Sequence, residues 1–75
     1  MSRANRISEQ WGVPVAVLMA SPQNGKGYDA QAQFVAELKD DGLAVEVIGR
    51  FFGQGPNWVT QRILRHRDNE SRGDA

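Results

Sequence analysis

The sequence predicts an all-α domain, a small bundle of four or five short helices. Two observations support this fold class. Residues 28–41 and 44–52 each carry apolar side chains at the spacing of one helix face, and a glycine follows each stretch, which is typical of a helix end. The alternation of apolar and polar residues that would favour a strand fails after Ile48 in the second stretch.

Length and composition restrict the class of protein. The chain has 75 residues and no cysteine, so we expect one small domain with a thin core and neither disulfides nor a thiolate metal site. No apolar run approaches the roughly 20 residues that cross a bilayer, and the amino-terminal residues do not resemble a signal peptide. We expect a soluble, cytoplasmic protein without a membrane partner. A second copy would help to stabilise so short a chain, so a homodimer stays open.

Residues 1–12 are predicted to form a flexible or helical amino-terminal arm. Ile7 and Trp11 are four positions apart, as on one face of a short helix, and Gly12 would end that helix. The apolar run 13–20 fits either a strand, because of its valines, or a helix of two turns that begins near Pro14. Residues 21–27 are predicted to form a loop.

Residues 28–41 are predicted to form a helix whose apolar stripe is Ala30, Phe34 and Leu38. Asp29 is expected in its first turn, where the helix dipole favours an acid. Residues 68–75 are polar and charged, and they are predicted to form a disordered tail. The predicted domain therefore spans residues 13–67.

Residues 44–67 are predicted to form two helices joined by a glycine turn. The first has an apolar stripe and stops at Gly53, and the second begins at Pro56 and runs to about His66 with Val59 and Ile63 inward. The stripe of the first helix consists of Ala44, Val47, Ile48, Phe51 and Phe52. Gly49 is expected where a bulky side chain would hold the two helices apart. This order of features is typical of a helix-turn-helix.

Two other interpretations stay open. The pair of helices could be an ordinary structural hairpin whose second helix has a solvated basic face. Alternatively, residues 13–49 could form a strand, a loop, a helix and a second strand, which is similar to the start of a flavodoxin-like reductase that binds a flavin phosphate. The chain is too short to complete such a parallel sheet, which needs helices on both faces.

Charge is distributed unevenly although the formal net charge is zero. Residues 45–67 contain four arginines and one glutamate, whereas residues 29–41 contain four acids and one lysine. Only the basic stretch would meet a nucleic acid, and we expect phosphate contacts to provide modest affinity with a modest dependence on salt.

The sequence predicts no enzyme, cofactor or small-molecule substrate. His66 is the only histidine and there is no cysteine, so a metal site or a catalytic dyad has too few ligands. Gly25-Lys26-Gly27 lacks the upstream glycine and the following Ser or Thr of a phosphate-binding loop.

Residues 29–64 resemble the helix-turn-helix domain of the ParB/KorB family of partition and plasmid-repressor proteins. The resemblance is carried by FVAELKDDGLAVEVIGRFFG and QGPNWVTQRIL. It implies sequence-specific binding to double-stranded DNA in repression or in plasmid, phage or chromosome maintenance, and hence a nucleoid-associated protein. The segment ASPQNGKG lacks the arginine of the family's nucleotide-binding motif, so we expect a small regulator or a domain fragment.

The predicted DNA-binding residues lie in and after the glycine turn. The resemblance implies that five of them face the major groove, namely Gly55, Pro56, Asn57, Thr60 and Gln61, and that Gln54 and Arg65 lie near the DNA backbone. The two amides suit adenine and the threonine methyl suits thymine. Arg62, Arg65 and Arg67 are predicted to neutralise phosphates. An alternative function is a small adaptor or inhibitor that binds a protein through the same two helices.

Overall fold

The computed structural model describes residues 2–20 and 25–73, and this part of the chain contains five helices and no strand. They are α1 (Arg3–Trp11), α2 (Val15–Met19), α3 (Gly25–Asp40), α4 (Val45–Phe52) and α5 (Pro56–Gly73). The all-α fold class is confirmed, and the strands of the flavodoxin-like alternative are wrong. The predicted loop at residues 21–24 and the end of the predicted tail at residues 74–75 lie outside the described residues.

Of the two alternatives predicted for residues 1–12, the helical one is confirmed, and helix α1 packs into the core. The Ser2 hydroxyl accepts a hydrogen bond from the Asn5 amide at 3.2 Å, and Gly12 ends the helix at φ 68°. Ile7 has no exposed surface, because it packs in a first core cluster together with residues of α2 and α3. The buried members of this cluster are Ile7, Val13, Leu18, Ala30 and Phe34.

Helix α3 is the central element and contacts each of the other four helices. It starts at Gly25 (φ 78°), earlier than predicted, so residues 25–27 are helical rather than looped. Glycine adopts the positive φ of position 25 without steric cost, because it has no Cβ. Asp29 consequently lies beyond the first turn and not in it. Residues 30–36 are all buried, because neighbours surround this part of the helix.

Gln31 links three helices through one buried amide. Its nitrogen donates to the carbonyl oxygens of Leu18 at 2.8 Å and Ala20 at 2.5 Å, at the end of α2. Its oxygen accepts a hydrogen bond from Nε of Arg62 on α5 at 3.1 Å. Gln31 has no exposed surface, so these bonds offset the cost of burying a polar group.

Arginines of α1 bind acids at the carboxyl-terminal end of α3. Arg6 donates to Glu37, Arg3 donates to Asp41, and Nε of Arg3 lies 3.7 Å from Glu37. Partial burial disfavours the charged form of Glu37, but hydrogen bonds from Gln33 and Arg6 and the charges of both arginines outweigh it, so the pKa of Glu37 lies below its ordinary value.

A second core cluster joins α3, α4 and α5. Its buried members are Val35, Ile48, Val59 and Ile63. Phe52 bridges the two clusters, since its ring centroid lies 5.9 Å from that of Phe34 and 5.2 Å from that of Trp58. The inward positions predicted for Val59 and Ile63 are confirmed. Packing on both sides of Phe52 therefore fixes α4 against α3 and α5.

Helix α5 continues to Gly73, so the predicted end near His66 and the predicted disorder of residues 68–73 are wrong. Two side-chain pairs at i,i+4 spacing support the extension. Nε2 of His66 lies 3.3 Å from a carboxylate oxygen of Glu70, and a guanidinium nitrogen of Arg72 lies 3.0 Å from a carboxylate oxygen of Asp68. Asn69 also donates to Asp29 of α3 at 2.9 Å.

None of the helices in residues 2–20 and 25–73 has the length and apolar character needed to span a membrane.

Candidate nucleic-acid interface

The turn between α4 and α5 is tight and closed by its own backbone. Gly53 adopts φ 70°, its amide donates to the Arg50 carbonyl at 3.2 Å, and the Gln54 amide donates to the Gly49 carbonyl at 2.7 Å. These bonds satisfy carbonyls at the end of α4, and the positive φ favours glycine. Pro56 then starts α5, where its missing N–H costs nothing.

Gly49 allows α4 to lie directly against this turn. A Cβ atom at Gly49 would stand 2.6 Å from the carbonyl oxygen of Gln54 and 3.3 Å from that of Gly55. The sequence predicts that Gly49 lets α4 pass close to α5, but the atoms nearest to it belong to the turn backbone and not to α5. Because backbone atoms cannot rotate away, the small residue at this position determines how α5 leaves the turn.

The outer face of α5 presents the predicted base-reading residues to solvent. Asn57, Thr60 and Gln61 are all exposed, and within the described chain their side chains make no hydrogen bond. Thr60 and Gln61 follow Asn57 by three and four positions, so the three side chains lie on the same side of the helix and form one stripe. Hydrogen-bonding groups without partners on one helix face are available to an external ligand.

The beginning of α5 continues this exposed stripe into the turn. Gln54, Gly55 and Pro56 are exposed. The first backbone amides of α5 lie beside them, and such amides favour an anion because they lack partners within the helix. The six predicted interface residues between positions 54 and 61 thus lie together, while Trp58 and Val59, which were not among them, pack in the core.

Arg62 is buried and does not have the position we predicted for a phosphate contact. It is 5 % exposed, and its guanidinium carbon lies 4.3 Å from the ring centroid of Tyr28 and 4.5 Å from that of Trp58. Its Nε donates to Gln31. Cation–π contacts and a buried hydrogen bond compensate for the loss of water around the charge. Arg62 therefore contributes to packing between α3 and α5.

Arg65, predicted to lie near the DNA backbone, is engaged by Asp29 within the chain. Its Nε donates to Asp29 of α3 at 2.9 Å. This hydrogen bond and the charge of Asp29 raise the pKa of Arg65 above its ordinary value. Arg67, in contrast, is exposed and forms no ion pair among the described residues. Of the three arginines predicted to contact phosphate, Arg67 alone is both exposed and without a partner among the described residues.

Leu64 is an interface candidate that sequence reasoning missed. It is 56 % exposed and follows Thr60 and Gln61 at helical spacing on the outer stripe. An apolar side chain there can contact the methyl group of thymine. The spacing from Asn57 (seven positions) could have identified Leu64, but a leucine on an amphipathic helix is more readily assigned to the core.

The apolar stripe predicted for α4 is only partly buried. Ile48 is 1 % exposed, but Val47 is 46 % exposed and Phe51 is 64 % exposed. The stripe is wider than the surface that α3 and α5 can cover, so one edge of it remains in solvent.

Comparisons with known proteins identify no relative. No family model, curated protein or solved structure matches the chain. The resemblance to the ParB/KorB family therefore stays a prediction, and only the geometry of α4, the turn and α5 bears on function.

Proposed function

We propose that this protein binds double-stranded DNA with sequence preference, by inserting the outer face of α5 into the major groove. The observation that carries the proposal is the exposed stripe of Asn57, Thr60 and Gln61, whose side chains have no partner within the described chain. The tight turn at Gly53 and the close approach at Gly49 hold this stripe on a rigid support. A preorganised polar helix face is the surface that a helix-turn-helix uses to contact base edges.

Each exposed residue has a role that follows from its chemistry. The amides of Asn57 and Gln61 can each donate to and accept from an adenine, and Thr60 and Leu64 can contact thymine methyl groups. Arg67 and the first amides of α5 would contact phosphates, and the predicted position of Gln54 is beside the backbone. Because so few cations are accessible, we expect weak binding to unrelated sequences and a shallow salt dependence.

Selection of bound sequences from a random duplex pool tests the proposal. We expect a recovered motif that contains adenine and thymine. In the Gln61→Ala variant, preference at one base pair should relax, with a loss of about 1–3 kcal/mol for the selected site. Ser71→Ala, an exposed change at the far end of the same helix, should leave the motif unchanged. Recovery of no motif, or a motif that Gln61→Ala does not alter, would contradict the proposal.

A regulatory role in repression or in plasmid or phage maintenance would be consistent with such binding. A selected site with two-fold symmetry would favour a dimeric repressor, since half-sites reflect the symmetry of the protein.

One observation favours the alternative of a protein-binding adaptor. The chain itself engages two of the three arginines that were predicted to contact phosphate, so little basic surface is left on α5. A salt titration separates the two functions. DNA affinity should fall as salt rises, in proportion to the number of phosphates contacted, whereas an apolar protein interface should respond little.

A further inference from the structure

An apolar groove of about 200 Å³ opens between α3 and α4. It is lined entirely by apolar side chains: Phe34, Leu38, Leu43, Val47, Ile48 and Phe51. Leu43 is 38 % exposed, Val47 46 % and Phe51 64 %. Val47 and Phe51 are four positions apart on α4, and Leu43, two residues before the helix begins, lines the same groove, so the three form one apolar stripe. A continuous exposed apolar stripe in a small domain indicates a surface that binds a partner.

Opposite charges flank one side of this stripe. Glu46 directly precedes Val47, Arg50 directly precedes Phe51, and the two charged residues are four positions apart on α4, so both lie on the same side of the stripe. Both are exposed, and neither forms an ion pair or hydrogen bond through its side chain within residues 2–20 and 25–73. The partner should therefore have an apolar stripe beside one acid and one base.

A second copy of the same surface meets this requirement. If two α4 helices pack antiparallel about a two-fold axis at Val47, Leu43 of each copy meets Phe51 of the other. In antiparallel packing the same flank of each helix faces its equivalent. Glu46 of one copy then faces Arg50 of the second copy, and the symmetry repeats this pair. A surface that complements itself in both apolar contacts and charge favours self-association over binding to an unrelated protein.

We propose that the α4 face, defined by Leu43, Glu46, Val47, Arg50 and Phe51, is a self-association surface that joins two copies of this chain into an antiparallel, two-fold dimer. Apolar burial along the stripe supplies the free energy of association, and the two reciprocal ion pairs set orientation and register. Self-association is separate from DNA binding and is tested without nucleic acid, so either proposal can fail alone.

Charge reversal followed by mixing is the decisive experiment. In Glu46→Arg the two ion pairs between the copies become two arginine–arginine contacts, and in Arg50→Glu they become two glutamate–glutamate contacts. Sedimentation equilibrium should show that each variant alone dimerises roughly tenfold more weakly than the unaltered chain. An equimolar mixture of the two should recover the dimer, because each Arg then faces a Glu again. Recovery also shows that both variants are folded.

Two further variants locate the interface. Val47→Glu places two carboxylates at the two-fold axis and should abolish the dimer, with helicity retained by circular dichroism. Leu64→Glu, which adds the same charge at a comparably exposed apolar position on α5, should leave the dimer intact. A chain that is monomeric at millimolar concentration, a mixture that stays as weak as its components, or a dimer that survives Val47→Glu would each overturn the proposal. Capture of a different protein by the monomer would assign the surface to that partner instead.

Discussion

The inner and outer faces of α5 differ in what binds their polar groups. On the inner face, Arg62 and Arg65 are held by α3 through Gln31, Tyr28 and Asp29. On the outer face, Asn57 and Gln61 have no partner in the described chain. The comparison shows that the number of charged residues in a stretch of sequence does not give the number that are accessible to a ligand in the folded protein. Asp29, Gln31 and Tyr28 of α3 engage two of the three arginines that were predicted to form the basic surface of α5.

The largest expected effect comes from Arg62→Ala. The change leaves the buried oxygen of Gln31 without its donor and removes the cation between the rings of Tyr28 and Trp58. We expect the free energy of unfolding to fall by about 2–4 kcal/mol, measured by urea denaturation. The control Arg67→Ala, on the outer face, should change it by no more than about 0.5 kcal/mol. Equal effects of the two changes would remove the distinction between the faces.

Gly49→Ala tests whether the outer face depends on the approach of α4 to the turn. Its Cβ would meet the Gln54 carbonyl at 2.6 Å, so the turn must shift, at a cost of about 1–3 kcal/mol in the free energy of unfolding. Gly55→Ala is a matched control in the same turn, because a Cβ there has no neighbour within 4 Å. If both variants unfold at the same urea concentration, Gly49 has no steric role.

The salt dependence of DNA binding can be compared between a variant of the outer face of α5, Arg67→Ala, and a variant of its inner face, Arg65→Ala. Arg67→Ala should reduce the slope of log K against log salt by about one unit, since it removes one phosphate contact. Arg65→Ala should leave the slope unchanged, because Asp29 already holds Arg65. Binding isotherms at several salt concentrations measure both slopes. A reduced slope for Arg65→Ala would show that its ion pair opens on DNA.

The smallest expected effect comes from a change at Glu37. Glu37 of α3 binds the arginines of α1, and other residues of α3 bind the arginines of α5. The pKa of Glu37 is lowered from 4.5, so its ionised form stabilises the fold above that pH. The stabilisation is lost as the pH falls through the lowered pKa of the folded state. Glu37→Gln should therefore weaken the dependence of the urea midpoint on pH in this acidic range. Glu9→Gln, at an exposed site, is the control and should retain the full dependence.

The sequence contained enough information for the fold class and for the helix ends that glycines create. Helices α1 and α4 end at Gly12 and Gly53, which both have a positive φ. Glycine is the residue that adopts this conformation most readily, so the sequence alone predicts these two helix ends. The extension of α5 was missed because its support is partly distant. Asn69 binds Asp29, forty positions earlier, and such a contact leaves no periodic signal in a polar stretch.

The candidate site was predictable only where it depends on helical spacing. The exposure of Asn57 and Gln61 follows from the inward positions of Val59 and Ile63 on the same helix. The burial of Arg62 does not, because it requires Tyr28 and Gln31 to lie opposite it across α3 and α5. A hydrophilic residue on the flank of an apolar stripe is assigned to solvent unless its tertiary partners are known.

The amide of Gln31 shows why position 31 is chemically narrow. A glutamate there would attract Arg62 more strongly, but it would turn two donated hydrogen bonds into repulsion between its oxygens and the carbonyls of α2. A lysine would satisfy those carbonyls and repel the guanidinium. Only a group that donates on one side and accepts on the other keeps α2 and α5 attached to the same point of α3. Substitution of Gln31 by a residue that carries a full charge of either sign should therefore destabilise the fold.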